Sequence, residues 1–202
     1  MHFHNFSSNR FASHRETMDS MKFVYMLLFA SACSGCTYIP RSEQMDFCNA
    51  DFAFEAEITS NDTGIISIKY GFDVVTVYKG AAENIPSTLL GHGTLFSCGP
   101  QMLDLNTKYL IFATINGENI QITTYRKMAD VKPSDIERIT TNYDCTCTIN
   151  INYAAFHGAQ SQQLPEPSKN ECNAPEDFCS RSGYCQKNSD GVCTWGDTGD
   201  CY

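Results

Sequence analysis

Tyr109-Leu110-Ile111-Phe112-Ala113-Thr114-Ile115, then Asn116-Gly117, then Ile120-Gln121-Ile122-Thr123-Thr124, is the stretch on which the fold turns. The first run is strongly apolar, and the second alternates, with Ile120, Ile122 and Thr124 on one face. Asn-Gly between two such runs is the strongest short-range signal for a tight hairpin, because both residues accept the left-handed backbone the turn needs. Working towards the N-terminus, Phe52, Phe54, Ala56 and Ile58 alternate with polar or small residues. Ile66, Ile68, Tyr70, Phe72 and Val74 do the same against Ser67, Lys69, Gly71 and Asp73. Strands are expected over both segments. A strand as long as the second must bend, and Gly71 is the expected place for a bulge. Lys79-Gly80 should end it, and Pro86 to Leu90 can begin another. Towards the C-terminus, Ser134-Asp135-Ile136-Glu137 reads as a capping box after Pro133, opening a helix that runs to about Tyr143. About five strands and a late helix predict a mainly β protein built on a small closed barrel of the OB type, with a sandwich as the competing arrangement.

The cysteines divide the 202 residues unevenly. Cys36, Cys48, Cys98 and Cys145 are sparse, whereas Cys147, Cys172, Cys179, Cys185, Cys193 and Cys201 crowd the end. Four and six are both even, so each part can close its own bridges, and the boundary is placed between Cys145 and Cys147. The predicted organisation is a barrel over 36–146 and a small disulfide-rich domain over 147–202, where bridges substitute for a large core. Ahead of both, Lys22 precedes the apolar run Phe23 to Ala30, and small residues Ser31-Ala32-Cys33-Ser34-Gly35 follow. This is the pattern of a secretory signal peptide over 1–35, cut between Gly35 and Cys36. Met18 or Met21 would start a more ordinary leader than Met1, which makes 1–20 an N-terminal extension. Removing Cys33 with the leader leaves ten of the 11 cysteines, an even number, and so many in the mature chain imply an oxidising compartment. A location outside the cell, free or in the matrix, is expected, with no membrane insertion after cleavage. Asn61-Asp62-Thr63 is a glycosylation acceptor of the kind found in surface loops, at Asn61.

Several chemistries are disfavoured. Net charge is -9, and no basic stripe is available to neutralise phosphates, so nucleic acid is not an expected partner. Beyond the leader only His92 and His157 remain, far apart. No HExxH, Walker loop or serine nucleophile elbow occurs, and fully paired cysteines offer no thiol nucleophile. An enzyme is therefore not expected, and no cofactor of its own.

Cys36-Thr37-Tyr38-Ile39-Pro40, followed by Cys48-Asn49-Ala50-Asp51, resembles the start of the tissue inhibitors of metalloproteinases. Val77-Tyr78-Lys79-Gly80, Ser97-Cys98-Gly99, Tyr109-Leu110-Ile111, Ile122-Thr123-Thr124, Cys145-Thr146-Cys147 and Ser189 to Trp195 are similar to further segments of that family, in the same order. The resemblance implies a netrin-type Greek-key OB barrel followed by a disulfide-rich domain. It implies bridges Cys36–Cys98, Cys48–Cys145 and Cys147–Cys193, and Cys185, matched by its spacing to Cys193, is expected to pair with Cys179. That leaves Cys172 with Cys201, a departure from the family, in which a cysteine follows soon after the position of Cys147. The chain departs from the family where a bridge usually starts at the third mature residue. Tyr38 stands there, and Tyr125 stands at the partner position. Two tyrosines placed so can stack, recovering about 0.5–1.5 kcal/mol of the roughly 2–5 kcal/mol that a lost bridge costs.

The resemblance also implies a mechanism and its residues. A catalytic zinc keeps one coordination position open. The α-amino group and carbonyl of Cys36, freed by cleavage, form a bidentate donor to the zinc of the partner proteinase. An α-amino pKa of about 8 lets that group lose its proton at a metal. The Cys36 sulfur is then only the anchor, through Cys98. Thr37 points into the specificity pocket, while Tyr38, Ile39 and Pro40 lie along the cleft. Phe96 and Ser97 contact the other side. The implied partners are secreted or membrane-bound zinc metalloproteinases, with extracellular matrix as a further one, bound by a monomer. A non-inhibitory netrin-type binding module is the alternative function.

Overall fold

The structure, a computed structural model, describes residues 39–156, 163–199 and 201. Five strands close a barrel in the order β1-β2-β3-β5-β4. They are β1 (Phe52–Thr63), β2 (Ser67–Lys79), β3 (Leu89–His92), β4 (Lys108–Asn116) and β5 (Asn119–Lys127). Neighbours are antiparallel except β3 and β5, which run parallel, and β4 returns to β1 to complete the closure. This is the OB-type barrel the strand pattern predicts, closed through a short β3 that meets β5 over only Leu89 and Leu90.

The apolar run at 109–115 owes its composition to burial on both faces. Tyr109, Ile111 and Ala113 point into the barrel beside Phe54, Ile58, Ile68 and Ile122. Leu110 and Phe112 point outward, into a second cluster with Phe47, Ala53 and Ile139. The hairpin turns at Gly117, whose φ is +63°, with Asn116 opposite Asn119. In β2 the inward face holds at Ile68 and Tyr70, but Ile66 is 80% exposed and Val74 40%. Ile66 lies at the tip of the long β1–β2 ribbon, outside the barrel wall, and the register shifts on either side of Val74. Beside Gly71 the extra residue belongs to β1, at Thr59, while β2 bulges further on, at Val75 and Tyr78. The register slips between Ile58 and Ser60, opposite Gly71, where a side chain would collide with the Ser60 hydroxyl. Asn61 is on this exposed end of β1, in a strand and not in a loop.

Two helical segments pack on the barrel's outer surface. α1 (Glu43–Asn49) was not signalled by apolar periodicity; Ser42 caps it, its hydroxyl accepting the Met45 N–H at 3.2 Å. α2 (Pro133–Glu137) is capped two residues earlier than the Ser134 pattern suggests. The N-cap is Lys132, and Asp135 reaches back to accept the Lys132 N–H at 2.9 Å. The helix then widens to a π-helical turn over Arg138–Asn142 and stops at Tyr143.

The remaining chain forms a parallel pair, β6 (Thr148–Asn150) with β7 (Glu171–Asn173), a short helix α3 (Tyr153–Phe156), and a hairpin of β8 (Gly183–Lys187) with β9 (Cys193–Asp197). Ile149, Ile151 and Ala174 make a small core with the buried cysteines. Bridges Cys48–Cys145 and Cys147–Cys193 are present as the resemblance implies. The other two tail bridges differ from that expectation, being Cys172–Cys185 and Cys179–Cys201 rather than Cys179–Cys185 and Cys172–Cys201. Cys172 on β7 and Cys185 on β8 both face the small core, which holds their Cα atoms 6.0 Å apart. Cys179 lies in the loop before β8, where the chain returns after β9 with Cys201.

Candidate functional site

The residues proposed for the inhibitory edge fall in two groups. Cys36, Thr37 and Tyr38 lie outside the described residues, so the chelating terminus and the Tyr38–Tyr125 contact do too. Ile39 is 56% exposed and Pro40 is buried. From there the chain runs through Arg41, whose Nε is 3.0 Å from Asp46 Oδ1, to the Ser42 cap and α1. Pro40 is thus buried between two exposed neighbours, Ile39 and Arg41, and Ile39 is the first described residue.

Phe96 and Ser97 sit in the loop after β3. The loop is closed at its neck by His92 and Gln101: the Gln101 N–H donates to the His92 carbonyl at 3.0 Å, and the His92 N–H donates to Gln101 Oε1 at 2.9 Å. The Phe96 ring lies flat on the His92 imidazole at 3.7 Å between centroids. Gly99 makes the return with φ +84°. Cys98 is disulfide-bonded, and its partner is not among the described residues. The loop also ties to the β1–β2 tip, through Gly93 N–H to the Ile66 carbonyl at 2.9 Å and Leu95 N–H to the Ile65 carbonyl at 3.0 Å. Ile65, Ile66, Leu95 and Phe96 are all exposed, so one edge of the barrel carries four large apolar side chains that no core uses.

Beside Ile39 a groove of about 420 Å³ opens, walled by Asn49, Thr114, Thr123, Tyr125 and Arg181. Tyr125 stands opposite Ile111 in the sheet, and its ring meets Tyr109 edge-on at 6.1 Å. Burial pushes the Tyr125 phenol above its usual range, with Tyr109 adding to it. Asp46, on the same wall, is likewise raised by burial, against the pull of Arg41 and a hydrogen bond from Thr124.

Beneath the groove lies a buried charge network that the sequence pattern did not single out. Arg126 on β5 bonds Glu43 at the start of α1 and Asp135 of α2, the latter at 2.9 Å. Asp135 also meets Arg138, which donates to Thr198 at 2.8 Å. The Tyr143 hydroxyl donates to Glu43 Oε2 at 3.1 Å. Burial raises the Glu43 carboxyl above its ordinary value and outweighs Arg126. Asp135 goes the other way: burial opposes, but the Lys132 N–H and Arg126 hold it low. The same short α1 therefore carries the groove on one side and a buried ionic core on the other. The sequence clue to this was Ser42, a cap residue followed by Glu43.

The sulfurs of Cys147, Cys185 and Cys193 lie within 4.8 Å of one another, but all are committed to the Cys147–Cys193 and Cys172–Cys185 bridges. No helix among the described residues is long and apolar enough to cross a membrane.

A closed five-stranded OB barrel, with a bridged loop after β3 and a cystine-rich tail, defines a netrin-type protein. The model of the family "Tissue inhibitor of metalloproteinase" matches residues 31–195, and the chain belongs to that family. No curated protein sequence matches it.

Proposed function

We propose that the secreted chain inhibits zinc metalloendopeptidases by presenting the α-amino and carbonyl groups of Cys36 to the proteinase zinc. The observation that carries this is the exposure of Ile39 and Phe96, at 56% and 41%, on segments flanking Cys36 and Cys98. Large apolar side chains that a folded core leaves in solvent are the material of an interface. Pro40 and Ser42 stiffen the segment behind Ile39, and the His92–Gln101 neck stiffens the loop under Phe96. Pre-ordered segments lose less freedom on docking. Thr37 enters the specificity pocket, Tyr38 and Ile39 follow the cleft, and Phe96 with Ser97 meets the opposite rim. The Cys36 sulfur anchors the terminus and takes no part at the metal. The zinc belongs to the partner, whose open coordination position receives the two backbone atoms.

The test is the mature chain beginning at Cys36, beside the same chain with one alanine placed ahead of it. Both are titrated against a panel of secreted and membrane-bound zinc endopeptidases. Inhibition by the first and its loss in the second is expected, because the added residue removes the free amine from the chelate. Equal inhibition by both refutes chelation, and inhibition by neither makes the chain a netrin-type binding module instead.

A further inference from the structure

We infer that Gln44 is a positioning residue through which the C-terminal segment sets the course of the N-terminal one. The consequence for inhibition rests on the reading above, while the ordering itself does not. The Gln44 side chain is 1% exposed. Its Nε2 donates to the Cys185 carbonyl at 2.7 Å and to the Asp144 carbonyl at 3.0 Å. Its Oε1 accepts the Cys185 N–H at 2.6 Å. Cys185 faces Trp195 across the β8–β9 hairpin. The N–H and C=O of one strand residue point to the same side, so Gln44 occupies the hairpin edge that a further strand would take. Its carboxamide reproduces the donor and acceptor of a peptide group there.

The neighbours of Gln44 repeat the fastening. The Glu43 N–H donates to the Ser180 carbonyl at 2.7 Å. Met45 packs against the small core of Ile149, Ile151 and the cysteines. Three consecutive residues in the first turn of α1 are thus held by residues that lie a hundred or more positions later in the chain. Ile39 and Pro40 leave that same turn. No cysteine occurs between Ile39 and Phe47, so within this segment the hold is noncovalent, and the nearly fully buried Gln44 reaches furthest along the chain. A buried amide with all its partners in place favours one orientation, because any other leaves the peptide groups of Cys185 unsatisfied.

The experiment uses the full mature chain with Gln44→Met, which keeps the length and removes the hydrogen bonds. Gln44→Asn, a milder shortening, serves if the first variant does not fold. Ile120→Ala in the barrel interior is the control for lost stability alone. Hydrogen exchange on the free protein is expected to show the Glu43 and Met45 amides exchanging at least about tenfold faster, with the Ile111 amide unchanged. The inhibition constant against the most sensitive proteinase should rise about tenfold, through faster dissociation. Ile120→Ala should lower the melting temperature without either effect. Unchanged exchange at 43–45 overturns the inference, as does changed exchange with unchanged inhibition for the functional half. If the parent chain inhibits nothing, the inhibitor reading fails while the exchange data still decide what Gln44 orders.

Discussion

Replacing Lys79 by methionine tests how α1 is held at its far end. Lys79 closes β2, and its Nζ donates to the carbonyls of Phe47 and Cys48 at 2.9 and 2.8 Å. The last carbonyls of a helix have no partner within it, and a cation there also meets the negative end of the helix dipole. The same ammonium lies 5.3 Å from the Phe47 ring centre. Methionine keeps the aliphatic stem and its packing, and deletes only the bonds. Hydrogen bonds from a charged donor are worth about 1.5–3 kcal/mol each, so two suggest about 3–6 kcal/mol. Burial draws the Lys79 pKa below its usual 10.5, with Asp51 opposing, which means that desolvation of the ammonium already offsets part of that gain. The expected net loss is about 2–3 kcal/mol. For a chain of this size that lowers Tm by about 4–12 °C. Urea unfolding followed by far-UV circular dichroism, with the m-value checked for constancy, measures it. A loss below about 0.5 kcal/mol refutes the reasoning and leaves Lys79 a surface lysine whose bonds water replaces at no cost.

Three other outcomes are expected. Cys48→Ser with Cys145→Ser opens a bridge spanning 97 residues, for which chain entropy gives a loss of about 4–5 kcal/mol in urea unfolding; less than about 1 kcal/mol would show that the bridge constrains little. Glu43→Gln should change how stability depends on pH. Because burial raises the folded pKa above 4.5, the Glu43 contribution is complete below pH 4.5 and is lost as pH climbs through the raised value. The parent's stability relative to the glutamine variant should therefore fall from pH 4.5 towards neutrality, and a flat or rising difference rejects the claim that burial outweighs Arg126. Phe96→Ala should cost less than about 1 kcal/mol of stability, since the ring is 41% exposed, yet weaken proteinase inhibition about tenfold or more. The reverse pattern would make Phe96 a packing residue.

Much of the barrel was legible from local pattern. The hairpin at Asn116–Gly117 and the inward faces at Phe54, Ile58, Ile68 and Ile122 appear as expected. Each depends on alternation or on turn stereochemistry, which adjacent residues specify. α1 escaped because seven residues give barely two turns of periodicity, and its buried residues include Glu43 and Gln44, which a hydrophobic pattern reads as surface. The tail pairing also escaped. Six cysteines admit 15 pairings, and the choice between Cys172–Cys185 and its rivals is made by β7 and β8 packing on one small core.

The candidate site divides in the same way. Sequence by itself established a leader-like segment, an even set of cysteines after it, and an ordered series of motifs similar to one inhibitor family. Such signals are local, and they survive without knowledge of any contact. Only the tertiary structure decided that Ile39 and Phe96 face solvent, that Pro40 is buried, and that Tyr125 meets Tyr109. Only it revealed that Gln44 pairs with Cys185, 141 residues away, and that Arg126 bonds Glu43, 83 residues away. The physical reason is that a polar side chain is buried only where partners converge on it, and no local pattern records which distant groups will do so.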